Sequence, residues 1–268
     1  MDPALQYAIF FLTGIVTGTA SGLFGVGGGF LMTPVQYWAY LLAGMDGTVA
    51  TRIAFGTSLA VMIPTMISGS LAHHARGAVS WKPAGIMGCA AVCGGLCGGT
   101  LAAHLPGIVL RGFFAVLIIV MAARMAWHLR SCEACEPRGS ARQYLLVGLL
   151  IGTVSGLAGI GGGVLLVPLL VMLFGYPMHQ AVGTSSACLI FSSAGAVTAY
   201  ILNGIGTAGL PPWSVGYVNV PVFLILAATT IPAARFGVRC AHGCSGRTLQ
   251  IIFACVLVLI GILMLASG

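Results

Sequence analysis

Acid is what this sequence lacks. Its 268 residues include four carboxylates, Asp2, Asp46, Glu133 and Glu136. Each falls in an expected loop or at a terminus, so no carboxylate inside an apolar span is available for a proton relay or for direct sodium binding. That argues against carboxylate-driven proton symport and leaves backbone carbonyls or a histidine to couple an ion. Charge of either sign is scarce, at 6% of residues, where a soluble domain carries about 25%. No basic n-region precedes the first apolar run, which is also too long for a leader, so no cleaved signal peptide is expected. The net charge is +7, but its basic residues sit in short loops and form no continuous tract. That excludes nucleic acid as a partner.

What is present is apolar and repeated. Hydrophobic residues make up 59% of the chain and its mean hydropathy is +1.06. Apolar stretches near 4–44, 48–71, 83–103, 108–129, 143–175, 181–203, 217–234 and 248–267 mostly reach or approach the roughly 20 residues of a spanning helix. The lipid bilayer is therefore the expected surrounding. Two of these stretches carry one motif. Residues 18–34 read GTASGLFGVGGGFLMTP and residues 152–168 read GTVSGLAGIGGGVLLVP. Ala54-Phe55-Gly56-Thr57-Ser58 then matches Ala181-Val182-Gly183-Thr184-Ser185, and Phe114-Ala115 matches Phe253-Ala254. The reading is one repeat over 1–129, a linker at 130–142 and a second repeat over 143–268.

Basic residues set the expected sidedness. If each glycine segment enters and leaves on one side and three spans follow in each half, Arg76, Lys82, Arg124, Arg130, Arg138, Arg142, Arg235, Arg239 and Arg247 share one side, with Arg52 and Arg111 opposite. The positive-inside rule makes the first side cytoplasmic. Both termini then lie outside and the halves are inverted. A single crossing by each glycine segment would weaken this bias. The expected fold is an all-α polytopic membrane protein of two inverted repeats, each a glycine-broken segment, re-entrant or paired, plus three spanning helices.

Gly27, Gly28 and Gly29, and their counterparts Gly161, Gly162 and Gly163, interrupt apolar segments at matching positions of two halves. That pattern points to a transporter binding site, where irregular backbone lines a cavity. A helix N-terminus offers unpaired N–H groups and about half a positive charge, and glycine lets an anion approach them. Ser21, Ser155, Thr19 and Thr153 flank the breaks, and Thr57, Ser58, Thr184 and Ser185 could complete the shell. The alternatives are close helix packing for the glycines and bonds back to helix carbonyls for the hydroxyls. Arg52, the repeat partner of His179, could attract or gate an anion, or snorkel to water. His73 and His74 read as interfacial or solvated. Pro34 and Pro168 fit either a helix start or a kink.

The paired SG-x-x-G-x-GGG motifs, each followed by GTS, resemble the TauE/SafE sulfite exporter family of membrane permeases over nearly the whole chain. The resemblance implies transport of sulfite or a related sulfur-containing anion or organosulfonate, by a carrier and not an enzyme, with no cofactor. Export fits the electrostatics, since each charge leaving a negative-inside cell gains about 2.3 kcal/mol per 100 mV. The expected location is the inner cell membrane.

The nine cysteines admit a second class. Cys89, Cys93 and Cys97 share one helix face, as a thiol relay or as small apolar packing. Cys132 and Cys135, with Cys240, Cys244 and His242, have the ligand types of a zinc site, or Cys132 and Cys135 form a redox pair. A membrane thiol oxidoreductase would use them but leaves the duplicated glycines unexplained. A passive anion channel would use the same halves as a carrier.

Overall fold

A computed structural model describes residues 3–127, 139–249, 251–253 and 255–256. Nine helices and one short hairpin are found among them: α1 Pro3–Phe24, α2 Gly29–Leu42, α3 Gly47–His74, α4 Trp81–His104, α5 Gly107–Trp127, α6 Ala141–Ala158, α7 Gly163–Met172, α8 Met178–Gly204, β1 Ser214–Val215, β2 Val218–Asn219 and α9 Val220–Gly243. The chain is helical again over 246–249. Most of the linker, with Cys132 and Cys135, and most of the last expected span lie outside the described residues.

Local chemistry explains where these helices start. Asp46 caps α3 by accepting from the N–H groups of Thr48 and Val49 at 2.9 and 3.1 Å, which gives the lone described carboxylate a structural task. Ser140 and Gln143 form a reciprocal capping box on α6. Asn219 accepts from Val222 N–H at 3.1 Å and opens α9. The helices that follow the glycine triplets differ: Gly28 and Gly162 stand at the caps of α2 and α7 with no side-chain bond.

Six helices are long and apolar enough to cross a membrane: α1, α3, α4, α6, α8 and α9. With 14 and 10 residues, α2 and α7 are about 21 and 15 Å long, short of the ~30 Å hydrocarbon core. Each glycine segment is thus a span-length helix followed by a short one. Pro34 and Pro168 are the sixth residues of these short helices, past the first turn, so each removes one helical hydrogen bond.

Small residues fix the directions of the spans. Gly14, Gly18 and Gly22 of α1 meet Thr229, Thr230 and Ala234 of α9 in order, so the two helices run the same way. Along α3, Thr65 bonds Thr230 at 2.7 Å and His73 bonds His242 at 3.1 Å, so α3 shares that direction. In the same manner Gly148, Gly152 and Gly156 of α6 meet Met87, Ala91 and Gly99 of α4, and Gly88, Gly95 and Gly99 of α4 meet Phe191, Ser192 and Ala199 of α8. These three run opposite to the first group, because Gly56 in the first half of α3 meets Tyr217, beyond the C-terminus of α8, while Gly183, early in α8, meets Ala78, beyond the C-terminus of α3. Crossing helices α3 and α8 are the most enclosed, with 83% and 67% of their apolar stretches buried against 44% for the other four spans. They form the centre on which the short helices rest. Arg76, Lys82, Arg142, Arg235 and Arg239 lie at one end of the bundle, the basic end; Arg52 and Arg111 lie at the other.

These contacts leave no room for a side chain. A Cβ at Gly22 would collide with the Ala234 carbonyl, whereas one at Gly85 meets nothing within 4 Å. Gly22→Val is expected to cost about 1–3 kcal/mol and to lower the thermal unfolding midpoint in detergent. Gly85→Ala should leave that midpoint unchanged or raise it.

Candidate functional site

Matching backbone builds the two breaks. Gly25 N–H closes α1 on Ser21 O and Gly159 N–H closes α6 on Ser155 O, both at 2.9 Å. Gly25, Gly27 and Gly28 then take φ of 66, 86 and 72°, and Gly159, Gly161 and Gly162 take 65, 78 and 78°. An L-residue in that left-handed region costs roughly 1–2 kcal/mol, so glycine is required by conformation at these positions. Gly163 is required by contact and Gly29 is crowded. A Cβ on Gly29 would press on Gly159 O at 3.1 Å, and one on Gly163 would press on Gly25 O at 3.0 Å. The two breaks therefore meet backbone to backbone. Their uncapped helix starts converge, each bringing unpaired N–H groups and a partial positive charge.

Hydroxyls surround this junction. Ser21 and Ser155 are fully buried, and neither hydroxyl has a hydrogen-bond partner. Ser193 is in the same condition. An unpaired buried hydroxyl costs about 1–3 kcal/mol, and here two at equivalent motif positions carry that cost. Gln36 Oε1 and Tyr40 OH are also buried without a partner, whereas the other motif hydroxyls are engaged. Ser185 donates to Gly25 O at 2.8 Å and Thr33 donates to Gly159 O at 3.4 Å, so each break is held by a helix of the other half. Ser58 accepts from Gln36 Nε2 at 2.8 Å, and its hydroxyl lies 3.1 Å from that of Thr33. Thr57 accepts from Asn219 N–H at 2.9 Å and Thr184 from Ser80 N–H at 3.0 Å, which pins the starts of α9 and α4. Thr19 and Thr153 bond back to Ile15 O and Leu149 O.

One side chain fills the junction. Met62 is fully buried on α3, and a Cβ on Gly27 or on Gly161 would collide with its methyl group. Its thioether also lies 3.0 Å from the Cβ position of Gly29. On α8 the motif-equivalent Leu189 packs against Gly163 in the same way. Met62 follows Ser58 by four residues, hence on the same helix face. That spacing was the available signal for it, and Gly25 and Gly159 could have been read from the motif itself.

Other expected residues lie elsewhere. Arg52 donates to Tyr217 OH at 3.2 Å and to Leu105 O at 3.0 Å. It sits ten residues from Met62, about 15 Å along the helix, and ties helix ends together. His179 donates to Ala241 O, at the basic end. His73 is buried and bonds Gly22 O and His242, a correction to its expected interfacial or solvated place. His74 stays exposed and accepts from Trp81. Cys89, Cys93 and Cys97 are exposed on the outer face of α4, away from the junction, which corrects the idea of an internal thiol relay. Among the described residues no three His, Cys, Asp or Glu are grouped to hold a metal.

Two cavities approach from opposite ends. One of about 510 Å³ is lined by Tyr40, Trp213 and Asn219 at the Arg52 end. The other, about 520 Å³, is lined by Ser68 and three arginines at the basic end. Met62 and the glycine junction lie between these levels.

The sequence model described as sulfite exporter TauE/SafE matches residues 10–264. A probable membrane transporter protein of Haemophilus influenzae is 27% identical, with 94% of this chain and 95% of the relative covered. One of Methanocaldococcus jannaschii is 28% identical over 97% and 96%, and one of Xylella fastidiosa is 32% identical over 69% and 70%. No solved structure matches the chain. Match length and the paired glycine breaks agree, and the chain belongs to the TauE/SafE sulfite exporter family, as a multi-pass membrane transporter and not an enzyme.

Proposed function

We propose that this transporter carries sulfite or a related sulfur-containing anion or organosulfonate out of the cell, binding it between the two glycine breaks. The observation that carries the reading is the convergence of two uncapped helix starts on a junction flanked by the unpartnered hydroxyls of Ser21 and Ser155. An ion buried without compensation is very costly. Here backbone N–H groups of Gly28, Gly29, Gly162 and Gly163, with the serine hydroxyls, replace the water. A pyramidal or tetrahedral oxyanion has several acceptor oxygens for such a ring of donors. The site holds no cation, so release on the far side is not opposed by a fixed counter-charge.

In this reading the halves are inverted repeats that rock about the glycine junction. Support comes from α1, α3 and α9 pointing one way and α4, α6 and α8 the other, so that motif-equivalent helices oppose each other. Positive-inside placement puts the basic end in the cytoplasm and both termini outside, in the inner cell membrane. Met62 occludes the junction and must swing aside as substrate enters. Thr57 and Thr184 serve as anchors for α9 and α4, Ser58 and Ser185 orient the breaks, and Arg52 locks the outer helix ends.

The first test is flux in proteoliposomes under imposed potential, with sulfite, sulfoacetate, sulfate and chloride compared. Saturable sulfite or sulfonate flux favours the carrier; flux that never saturates favours a channel, and none at all contradicts the reading. Ser21→Ala with Ser155→Ala removes hydroxyls that the protein itself leaves unpaired. Thermal stability is therefore expected to hold or rise, while KM rises about a hundredfold, the worth of two hydrogen bonds to a charged group at about 1.5 kcal/mol each. A fall in stability with KM unchanged would assign the serines to packing. Met62→Ala is expected to admit bulkier sulfonates that the native protein rejects, measured as their flux relative to sulfite.

A further inference from the structure

The basic end carries a second concentration of donors that the central junction does not use. Arg76, which follows α3, and Arg235 and Arg239, one turn apart on α9, line the 520 Å³ cavity together with Ser68. Two of the arginines are held in place. Arg235 Nε donates to Ser68 Oγ at 3.1 Å, and Ser68, which is buried, donates onward to Ile231 O at 3.0 Å. Arg76 Nη1 donates to Ala72 O at 3.2 Å. Each guanidinium has five N–H donors, so most remain for a ligand. Asp46, the single described carboxylate, caps the opposite end of α3. Three positive charges around one cavity repel each other, and an anion there relieves that repulsion. The forked guanidinium matches paired oxygens of a sulfur or phosphorus oxyanion.

A row of hydroxyls on α3 continues inward from Ser68. Ser68 is one turn from Thr65, whose hydroxyl meets that of Thr230 at 2.7 Å, and Thr65 is one turn from Met62. Ser68 thus lies six residues, about 9 Å along α3, from the side chain that closes the junction.

We propose that the Arg76, Arg235 and Arg239 cavity is a second anion site, selective for doubly charged sulfur or phosphorus oxyanions, which loads the central site from the basic end. The loading role rests on the transport reading above; the binding site stands without it.

The test is binding of radiolabelled inorganic sulfate, by equilibrium dialysis at low ionic strength, to the full chain in phosphatidylcholine nanodiscs. Combined replacement Arg76→Gln, Arg235→Gln and Arg239→Gln should weaken binding at least tenfold. Arg239→Gln alone, which breaks no hydrogen bond recorded in the fold, should weaken it about threefold and covers the case in which the triple variant misfolds. Ser21→Ala with Ser155→Ala should leave this binding in place. Equal affinity in the native protein and the arginine variants overturns the site. Loss of binding in the serine variant alone overturns it too, by assigning the sulfate to the junction. Displacement of sulfate when phosphatidylglycerol replaces phosphatidylcholine makes the occupant a lipid headgroup and overturns the loading role.

Discussion

Backbone contact between the two glycine breaks is the constraint on which the rest of this structure depends. Gly29 lies against the carbonyl of Gly159, and Gly163 against the carbonyl of Gly25. A methyl group on Gly163 would meet the Val26 backbone at 2.5 Å, and one on Gly29 would press on Gly159 O at 3.1 Å. From that contact follow the left-handed residues on each side, the restart of α2 and α7 without side-chain caps, and the convergence of two helix starts deep inside the bundle. The cross-half bonds from Ser185 and Thr33 to the same carbonyls hold the breaks in register. Enclosed α3 and α8 supply the wall against which both short helices rest.

This arrangement answers an electrostatic problem. An anion crossing a membrane needs its water replaced, yet a buried cation would hold it too firmly for turnover. On the proposed reading, partial charges at helix starts, with a few hydroxyls, would give moderate binding that ends when the halves part. The described arginines stay near the ends of the bundle, away from the junction. On the same reading, scarcity of acid serves that end, since a carboxylate near the path would repel an anionic cargo.

Much of this was legible in the sequence, and the limits have physical causes. The glycine triplets were readable because only glycine tolerates a run of left-handed residues, and their duplication marked equivalent places. The approximate extents of the helices followed from the apolar runs. Orientation of individual side chains did not. Thr57 and Thr184 belong to a motif beside the site, yet their oxygens accept from the backbone of Asn219 and Ser80, partners distant in sequence. Spacing placed Cys89, Cys93 and Cys97 on one face, but which face looks outward depends on α6 and α8. His73 looked like a loop residue until α9 brought His242 to it. Met62 is one methionine in an apolar run, and its place between the breaks is a tertiary fact.

The most direct measurement is anomalous diffraction from crystals grown with selenite, whose selenium reports the position of a sulfite-like anion. The account predicts a selenium peak between the N–H groups of Gly28 and Gly29 and those of Gly162 and Gly163, within hydrogen-bond reach of Ser21 and Ser155, with the Met62 side chain displaced. A crystal with selenium bound elsewhere, and with Met62 still seated between Gly27 and Gly161, would contradict it.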